Sequence, residues 1–395
     1  MNDNDIVIVS AKRTPMGSFQ GCFSSLTATD LGAAAIKAMI DETQIDTQLI
    51  NEVYMGCVLP AGLGQAPARQ AALKAGLPLS VACSTVNKVC GSGMKTVMLA
   101  HDMIAAGSAD IVIAGGMESM TNAPYLLPKV REGLRLGHHQ MLDHMFFDGL
   151  ENAADNALMG TFAELCADKF SFSREQQDEY AIESVKRAIN AVELNYFKNE
   201  ITEVTIKSRA GENQIANDEQ PFKCKIEKIP QLKPAFRKEN GTVTPANSSS
   251  ISDGGAAVML MTAKQANELG LVPIARILAH ASHAQAPEEF TTAPINAIQN
   301  VLNKSGWSLN DIDLFEINEA FAVVTMSAIK ELELNPDKVN IHGGACALGH
   351  PIGASGTRII VTLLHALQHK GLSKGIASLC IGGGEATAVA LELCN

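Results

Sequence analysis

The chain has 395 residues, of which 46% are hydrophobic and 18% charged, a composition typical of compact globular proteins and not of disordered chains. Its formal net charge of −11 argues against nucleic-acid and membrane-surface partners, because anionic surfaces repel an acidic protein. No apolar run approaches the ~18 residues of a membrane span, so we expect no membrane partner.

Strands and helices alternate through the first part of the chain. Apolar runs predict strands at 6–10, 52–56 and 110–114, the last ending at Gly115-Gly116. Helical patterns predict helices from about Asp30, taken as the N-cap, to Ile40 and from 94 to 106. This alternation predicts α/β layering around a buried sheet.

A similar order returns in the last part of the chain. The pattern predicts a helix at 294–302, a strand at 313–317, a helix at 357–368 and a strand at 377–381 that ends in Gly382-Gly383-Gly384. We interpret the repeat as an internal duplication of topology.

The stretch 119–247 differs, with a charged helix predicted at 173–191 and few strong strands. We predict an N-terminal half at 1–118, completed by about 248–270, an inserted covering segment at 119–247, and a C-terminal half at 271–395. An insertion of this kind often covers a site, but a surface excursion without function is the alternative.

Nine cysteines are scattered through the chain, none with CxxC spacing. The odd count and the spacing argue against a disulfide framework or a structural zinc site and favour a reducing compartment. The acidic N-terminal residues 1–5 lack the features of a signal peptide, so we expect a cytoplasmic protein.

Cys90 lies just before a predicted helix, between Lys88-Val89 and Gly91-Ser92-Gly93. Unpaired amide groups and the positive end of the helix dipole at this place favour the thiolate, which is the nucleophilic form. A lone cysteine is more often a small buried apolar residue, so the segment alone leaves both interpretations open.

His350 lies in a loop with five glycines between 343 and 356 and is followed by Pro351. An imidazole in such a loop could deprotonate a thiol that the fold brings close, although a capping histidine is an equal alternative. A phosphate-binding loop is disfavoured because neither a Walker A lysine nor GxGxxG is present. The nearby His342 lacks this setting.

Two further segments follow predicted strands. Cys380 lies at a strand end, and the open backbone at Gly382 could donate an N–H to a developing oxyanion. Asn318 and Glu319 follow another strand, where the pair could equally cap the next helix.

Together and in this order, these segments closely resemble the thiolase family over nearly the whole chain. The shared segments are VNKVCGSG at 86–93, GGMES at 115–119, NEAFA at 318–322, GGACALGHPIGASG at 343–356 and CIGGG at 380–384. The resemblance implies an α/β fold of two duplicated βαβαβαββ halves with an inserted covering loop domain.

The resemblance also assigns a role to each site residue. Cys90 would be the acylated nucleophile, His350 would take its proton, and Cys380 would act as acid and base on the second substrate. Asn318 would hold a water that joins His350 in stabilising an enolate oxygen. The backbone N–H groups of Cys90 and Gly382 would form the other oxyanion hole.

For coenzyme A, the resemblance points to Ser249 at the pantetheine and Phe236 near the adenine. Three positions depart from common family residues: Leu158 stands for a histidine, Phe290 for a methionine near the acyl pocket, and His342 for an asparagine. The differences at Leu158 and Phe290 bear on substrate choice, and the difference at His342 should have only a mild effect.

The implied activity is that of an acetyl-CoA C-acetyltransferase: reversible condensation of two acetyl-CoA to acetoacetyl-CoA and CoA, without cofactor or metal. These thioesters and CoA are the expected partners, with a homotetramer or homodimer as assembly. Alternatives are a 3-ketoacyl-CoA thiolase of broader chain length, a decarboxylating ketoacyl synthase, and a non-catalytic acyl-CoA carrier.

Overall fold

A computed structural model describes residues 1–208 and 211–394 of the chain. Its strands are β1 (Ile6–Arg13), β2 (Gly17–Ser18), β3 (Glu52–Gly56), β4 (Ala82–Val86), β5 (Ile111–Ser119), β6 (Tyr125–Leu126), β7 (Leu142–Asp143), β8 (Val204–Ser208), β9 (Gly211–Ile215), β10 (Ser252–Thr262), β11 (Ala275–Ala284), β12 (Leu314–Ile317), β13 (Lys374–Ile381) and β14 (Glu385–Leu393). Its α-helices are α1 (Ala28–Thr43), α2 (Pro67–Lys74), α3 (Ser92–Ala105), α4 (Met159–Phe170), α5 (Arg174–Glu193), α6 (Ala263–Glu268), α7 (Ala293–Ser305), α8 (Ala322–Glu331), α9 (Ala345–Leu348) and α10 (Ser355–Lys370).

One large sheet contains the strands of both halves, in the order β12-β13-β14-β11-β1-β10-β5-β3-β4. Strand β3 pairs in parallel with β4 and β5, and β12 pairs in parallel with β13. The two halves of the sheet join where β1 meets β11, a pairing that involves only Val7 and Ile8 of β1.

The pairing repeats between the halves. Strands β1, β10, β5 and β3 are joined by two antiparallel pairings and then a parallel one, and β11, β14, β13 and β12 follow the same sequence. The place of β4 is taken in the second half by a parallel bridge between Phe315 and Val339. The predicted duplication is confirmed.

Helices α3 and α10 pack on each other and on strands of both halves. Their apolar side chains, among them Met94, Val97, Ile359 and Ile360, are fully buried in the largest core cluster. Helices α1 and α2 bury a second cluster on the other face of the first half, and α7 contributes to a third on the second half. Helices thus cover both faces of the sheet in each half.

The predicted N-cap of the first helix is wrong by one turn. Thr27 is the N-cap, because its side chain accepts a hydrogen bond from the backbone N–H of Asp30. The Asp30 carboxylate in turn accepts from the backbone N–H of Thr27 at 2.9 Å. Asp30 is therefore the third residue of a capping box, and the helix begins at Ala28.

The strand expected to end at Gly115-Gly116 continues to Ser119. Its ladder with β10 runs unbroken through both glycines, because they pair with Ala257 and Ala256. A side chain at Gly116 would collide with the backbone oxygen of Gly353, so the glycine allows a loop from the other half to lie directly on the strand.

The stretch between β5 and β10 contains α4, α5 and the two-stranded pairs β6–β7 and β8–β9. The predicted division at 118, 247 and 270 stays a prediction; β5 extends one residue past 118, to Ser119, and β10 lies wholly within 248–270. Among the described residues, no helix is both long and apolar enough to span a bilayer.

Candidate active site

The loop that carries Cys90 connects β4 to α3 and contains a strained residue. Val89 has a φ of 46°, a left-handed conformation that a β-branched side chain rarely adopts. The side chain of Asn87 accepts from the backbone N–H of Val89 at 2.9 Å, and the Ser92 hydroxyl donates to the carbonyl of Val89 at 2.6 Å. These bonds hold the turn that presents Cys90 ahead of α3.

Cys90 is partly buried at the head of this helix, and burial raises the pKa of its thiol to about 11. The backbone N–H groups of Gly382 and of Cys90 itself oppose that increase, because they donate toward the sulfur. The sequence predicts surroundings that favour the thiolate, but burial raises the pKa of the thiol by more than these two N–H groups lower it. A thiol with a raised pKa needs a base to become a nucleophile at neutral pH.

His350 supplies a neutral imidazole at the same site. Its Nδ1 lies 2.6 Å from the hydroxyl oxygen of Ser355, which donates its own hydrogen to the carbonyl of Pro351 at 3.0 Å. That pattern assigns the ring proton to Nδ1 and leaves the lone pair on Nε2. Nε2 is buried without a hydrogen-bond partner among the described residues. Burial, aided by the charge of Arg358, lowers the pKa of His350 to about 3.

Asn318 lies directly behind the imidazole. Its side-chain nitrogen is 3.5 Å from Nδ1 of His350, a long contact beside the Ser355 bond. Its side-chain oxygen accepts from the Arg358 guanidinium at 3.3 Å. Arg358 also pairs with Glu316 at 2.8 Å, and both are buried. This ion pair fixes which way the Asn318 amide points.

Cys380 is the last residue but one of β13 and is completely buried. It packs in an apolar cluster with Phe290 and Phe321. Burial and the neighbouring Cys90 both raise the pKa of Cys380 well above that of a free thiol. The chain then turns sharply at Gly382-Gly383-Gly384, where the last two glycines have positive φ.

A cavity of about 390 Å³ joins these segments. Cys90, His350 and Gly382 line it, as do Ser249 and Phe236, the two residues predicted to contact coenzyme A. Cys380 is not among the described residues that line this cavity. It lies behind the wall, because its cluster partners Phe290 and Phe321 do line it.

The departures found in the sequence take different positions. Leu158 and Phe290 line the cavity, so both bear on its shape. His342 does not line it and instead contacts the rings of Tyr196 and Phe197. Burial lowers the pKa of His342 to about 4, consistent with a neutral packing residue.

Sequence reasoning assigned no role to Glu118, although it lies inside the quoted GGMES segment. Its buried carboxylate accepts backbone hydrogen bonds from Val58 at 3.0 Å, Leu59 at 3.2 Å and Gly353 at 2.9 Å. It thereby joins the loop after β3 to the loop that carries His350. A carboxylate at the end of an apolar strand was the signal available in the sequence.

Family comparisons agree with this geometry. The family model described as "Thiolase, N-terminal domain" matches residues 6–264, and the one described as "Thiolase, C-terminal domain" matches residues 271–393. The chain belongs to the thiolase family. As a thiolase it carries the family's segments at the cavity found above, with Cys90 from the first matched domain and His350 from the second.

Individual thiolases are similar to this chain along their whole length. Acetyl-CoA acetyltransferase 1 of Arabidopsis thaliana is 48% identical over 394 residues, which cover 99% of this chain and 95% of the relative. The crystal structure of the Bacillus anthracis acetyl-CoA acetyltransferase superposes with a TM-score of 0.96 at 39% identity, covering 99% of both chains. The Acat5 thiolase of Ascaris suum in complex with coenzyme A gives a TM-score of 0.93 at 42% identity, covering 99% of this chain and 100% of the other.

Proposed function

We propose that this protein is an acetyl-CoA C-acetyltransferase, which condenses two acetyl-CoA to acetoacetyl-CoA and CoA through an acetyl group on Cys90. One observation carries the proposal. A single cavity combines the Cys90 thiol, a neutral His350 with a free Nε2, and the Gly382 amide, with the Cys380 thiol directly behind. The names of its full-length relatives support the same reaction.

In the first half-reaction the thiol of Cys90 loses its proton to Nε2 of His350 as the sulfur attacks the thioester carbonyl. The depressed pKa of His350 and the raised pKa of Cys90 disfavour a resting ion pair, so we place proton transfer and attack together. The carbonyl oxygen becomes negative and accepts from the N–H groups of Cys90 and Gly382, each such donor being worth ~3 kcal/mol. CoA leaves as a thiolate and takes the proton of Cys380.

The second half-reaction begins with Cys380 as thiolate and His350 as imidazolium. Because burial raises the pKa of Cys380, its thiolate is a strong base, and it removes an α-proton from a second acetyl-CoA. Imidazolium and a water on Asn318 stabilise the enolate oxygen. The enolate carbon attacks the acetyl group, and the Cys90 sulfur leaves and recovers its proton from His350. All three groups return to their starting state.

Aromatic packing favours a short acyl chain over the broader 3-ketoacyl-CoA alternative. Phe290 is buried at the cavity wall, with its ring 6.4 Å from the rings of both Phe162 and Phe321 at edge-to-face angles. A ring held from two sides does not swing aside for a long chain. Acetoacetyl-CoA should therefore be cleaved faster than a 3-ketohexadecanoyl thioester, and a strong preference for the long chain would reject the assignment.

Two further alternatives are less consistent with the site. A decarboxylating synthase has no use for the thiol at Cys380, and it would consume a malonyl thioester. A non-catalytic carrier would bind acyl-CoA without a covalent adduct and has no need for the free Nε2 of His350. Substrate tests with malonyl-CoA and a search for the adduct separate both alternatives from the thiolase reaction.

Mass spectrometry after incubation with acetyl-CoA tests the proposal directly. We expect a single acetyl group on Cys90, absent in Cys90→Ala, which should lose both reaction directions. Cys380→Ser should still gain some label while forming no acetoacetyl-CoA, because that variant retains the nucleophile and lacks the carbon base. An unlabelled Cys90 in the native enzyme would overturn the mechanism.

For coenzyme A we propose contacts with Ser249 and Phe236, because both line the cavity. Phe236 packs against Gly160, where a side chain would run into its ring.

We propose a homotetramer or homodimer, because β4 has an exposed edge at one end of the sheet and mostly exposed side chains. We also propose that the protein is cytoplasmic. The proposed reaction uses neither a cofactor nor a metal.

A further inference from the structure

Two histidines and an aspartate meet at a place that takes no part in the reaction above. His101 and Asp102 lie in α3, and His280 lies in β11. Residue 101 is nine residues beyond the start of α3, which places it ~13 Å along the helix from the Cys90 end. None of the three lines the active-site cavity.

The three side chains converge on one carboxylate oxygen. Oδ1 of Asp102 lies 3.1 Å from Nδ1 of His101 and 2.8 Å from Nε2 of His280. All three atoms lie within 4.8 Å of one another. Four-coordinate zinc has bonds of ~2.0–2.2 Å to nitrogen and oxygen, so its ligand atoms stand slightly more than 3 Å apart. Small side-chain rotations would produce that spacing.

Packing holds the imidazoles in place and leaves a route for an ion. The His280 side chain is 15% exposed and that of His101 21%, whereas Asp102 is 56% exposed. The centroids of the two imidazole rings lie 5.1 Å apart, and the ring planes meet edge to face at 83°. Binding an ion through Nδ1 of His101 and Nε2 of His280 would break their two hydrogen bonds to Asp102.

We propose that His101, Asp102 and His280 form a binding site for one divalent transition-metal ion of the zinc type. Two imidazole nitrogens and one carboxylate oxygen suit zinc, and solvent water would fill the remaining position. Magnesium and calcium require more oxygen ligands than the cluster provides.

The site would connect the two halves of the fold. His101 and Asp102 belong to the helix that presents Cys90, and His280 belongs to a strand of the second half. An ion held by both would stabilise the folded state over the unfolded one. The ammonium group of Lys304 donates to the backbone oxygen of His280 at 3.0 Å, and its positive charge limits the affinity.

Titration of metal-free, full-length protein with Zn²⁺ tests the site, with binding heat and melting temperature as readouts. The Cys90→Ser variant serves as background so that the reactive thiol does not bind the probe. We expect one ion per chain and a higher melting temperature. His280→Gln should weaken binding at least about tenfold. Asp102→Asn, at an exposed position, provides a second variant should His280→Gln fail to fold.

A matched control uses the exposed pair His138 and His139, which adjoin in sequence and are not part of the proposed site. The double variant His138→Gln/His139→Gln should bind as the background does. Absence of saturable binding, unchanged binding in both site variants, or loss of binding in the control would overturn the proposal. So would a Co²⁺ complex whose absorption shows thiolate ligation, because that would place the ion on cysteine.

Discussion

Replacing Glu118 by glutamine tests whether its carboxylate positions the His350 loop. One carboxylate oxygen accepts from Val58 and Gly353, and the other from Leu59 and the thiol of Cys57. Glutamine can keep its oxygen on the first pair and must then turn its NH₂ group toward the Leu59 N–H. One buried backbone donor loses its acceptor, which costs ~1–3 kcal/mol of unfolding free energy.

The pH dependence gives a second test of the same change. Burial raises the pKa of Glu118 from 4.5 to about 7. A carboxyl whose pKa is raised in the folded state contributes stability that is complete below 4.5 and is lost as pH increases through about 7. Glutamine does not titrate, so the stability difference between native protein and Glu118→Gln should shrink across that window.

The assays are urea denaturation between pH 4.5 and 8 and steady-state thiolysis of acetoacetyl-CoA. We expect kcat to fall about ten- to hundredfold with a smaller change in KM, because a displaced His350 loop affects the reaction more than binding. Asp313→Asn is the control, since Asp313 accepts from the backbone of Ser373 and Lys374 at the opposite ends of the strands. A stability difference that grows with pH, or equal kcat losses in both variants, would refute the reasoning.

Three other changes give separate predictions. Arg358→Leu should cost ~3–5 kcal/mol in urea denaturation by leaving the buried Glu316 unpaired, and Glu316→Leu in the same chain should recover much of it. Gly116→Ala should destabilise the protein by ~1–3 kcal/mol, because the new methyl group meets the backbone oxygen of Gly353; a neutral result would mean that the loop yields. Alkylation of free Cys90 should accelerate with pH toward about 11, so a rate that is flat above neutrality would contradict the raised pKa.

Much of the fold could be predicted because its buried strands are continuous apolar runs. The predicted strands at 52–56 and 377–381 lie within β3 and β13, and the helix at 357–368 lies within α10. The predictions were wrong where two local patterns compete for one helix start, or where pairing with another strand determines where a strand ends. Thr27 and Asp30 are both good caps, and β5 passes through its glycines because β10 pairs with them.

The site was harder to predict than the fold because its contacts span the chain. Cys90 and His350 have local surroundings that suggest chemistry, and sequence reasoning singled out both. The protonation state of Cys90 could not be predicted, since the segments that bury it come from distant parts of the chain. Glu118 meets Gly353 across 235 residues, and no local pattern indicates such a contact.

The duplication explains why the Glu118 carboxylate and the Cys380 thiol occupy related places. Strands β5 and β13 have equivalent partners in their halves, and each ends at the site, β5 with Glu118 and Ser119 and β13 with Cys380 and Ile381. Helices α3 and α10, packed on each other, likewise begin beside Cys90 and His350. In the second half the strand end carries Cys380, which we propose as the base for carbon chemistry. In the first half it supplies an acceptor that fixes the opposite loop, so loss of Glu118 should reduce turnover although it touches no substrate.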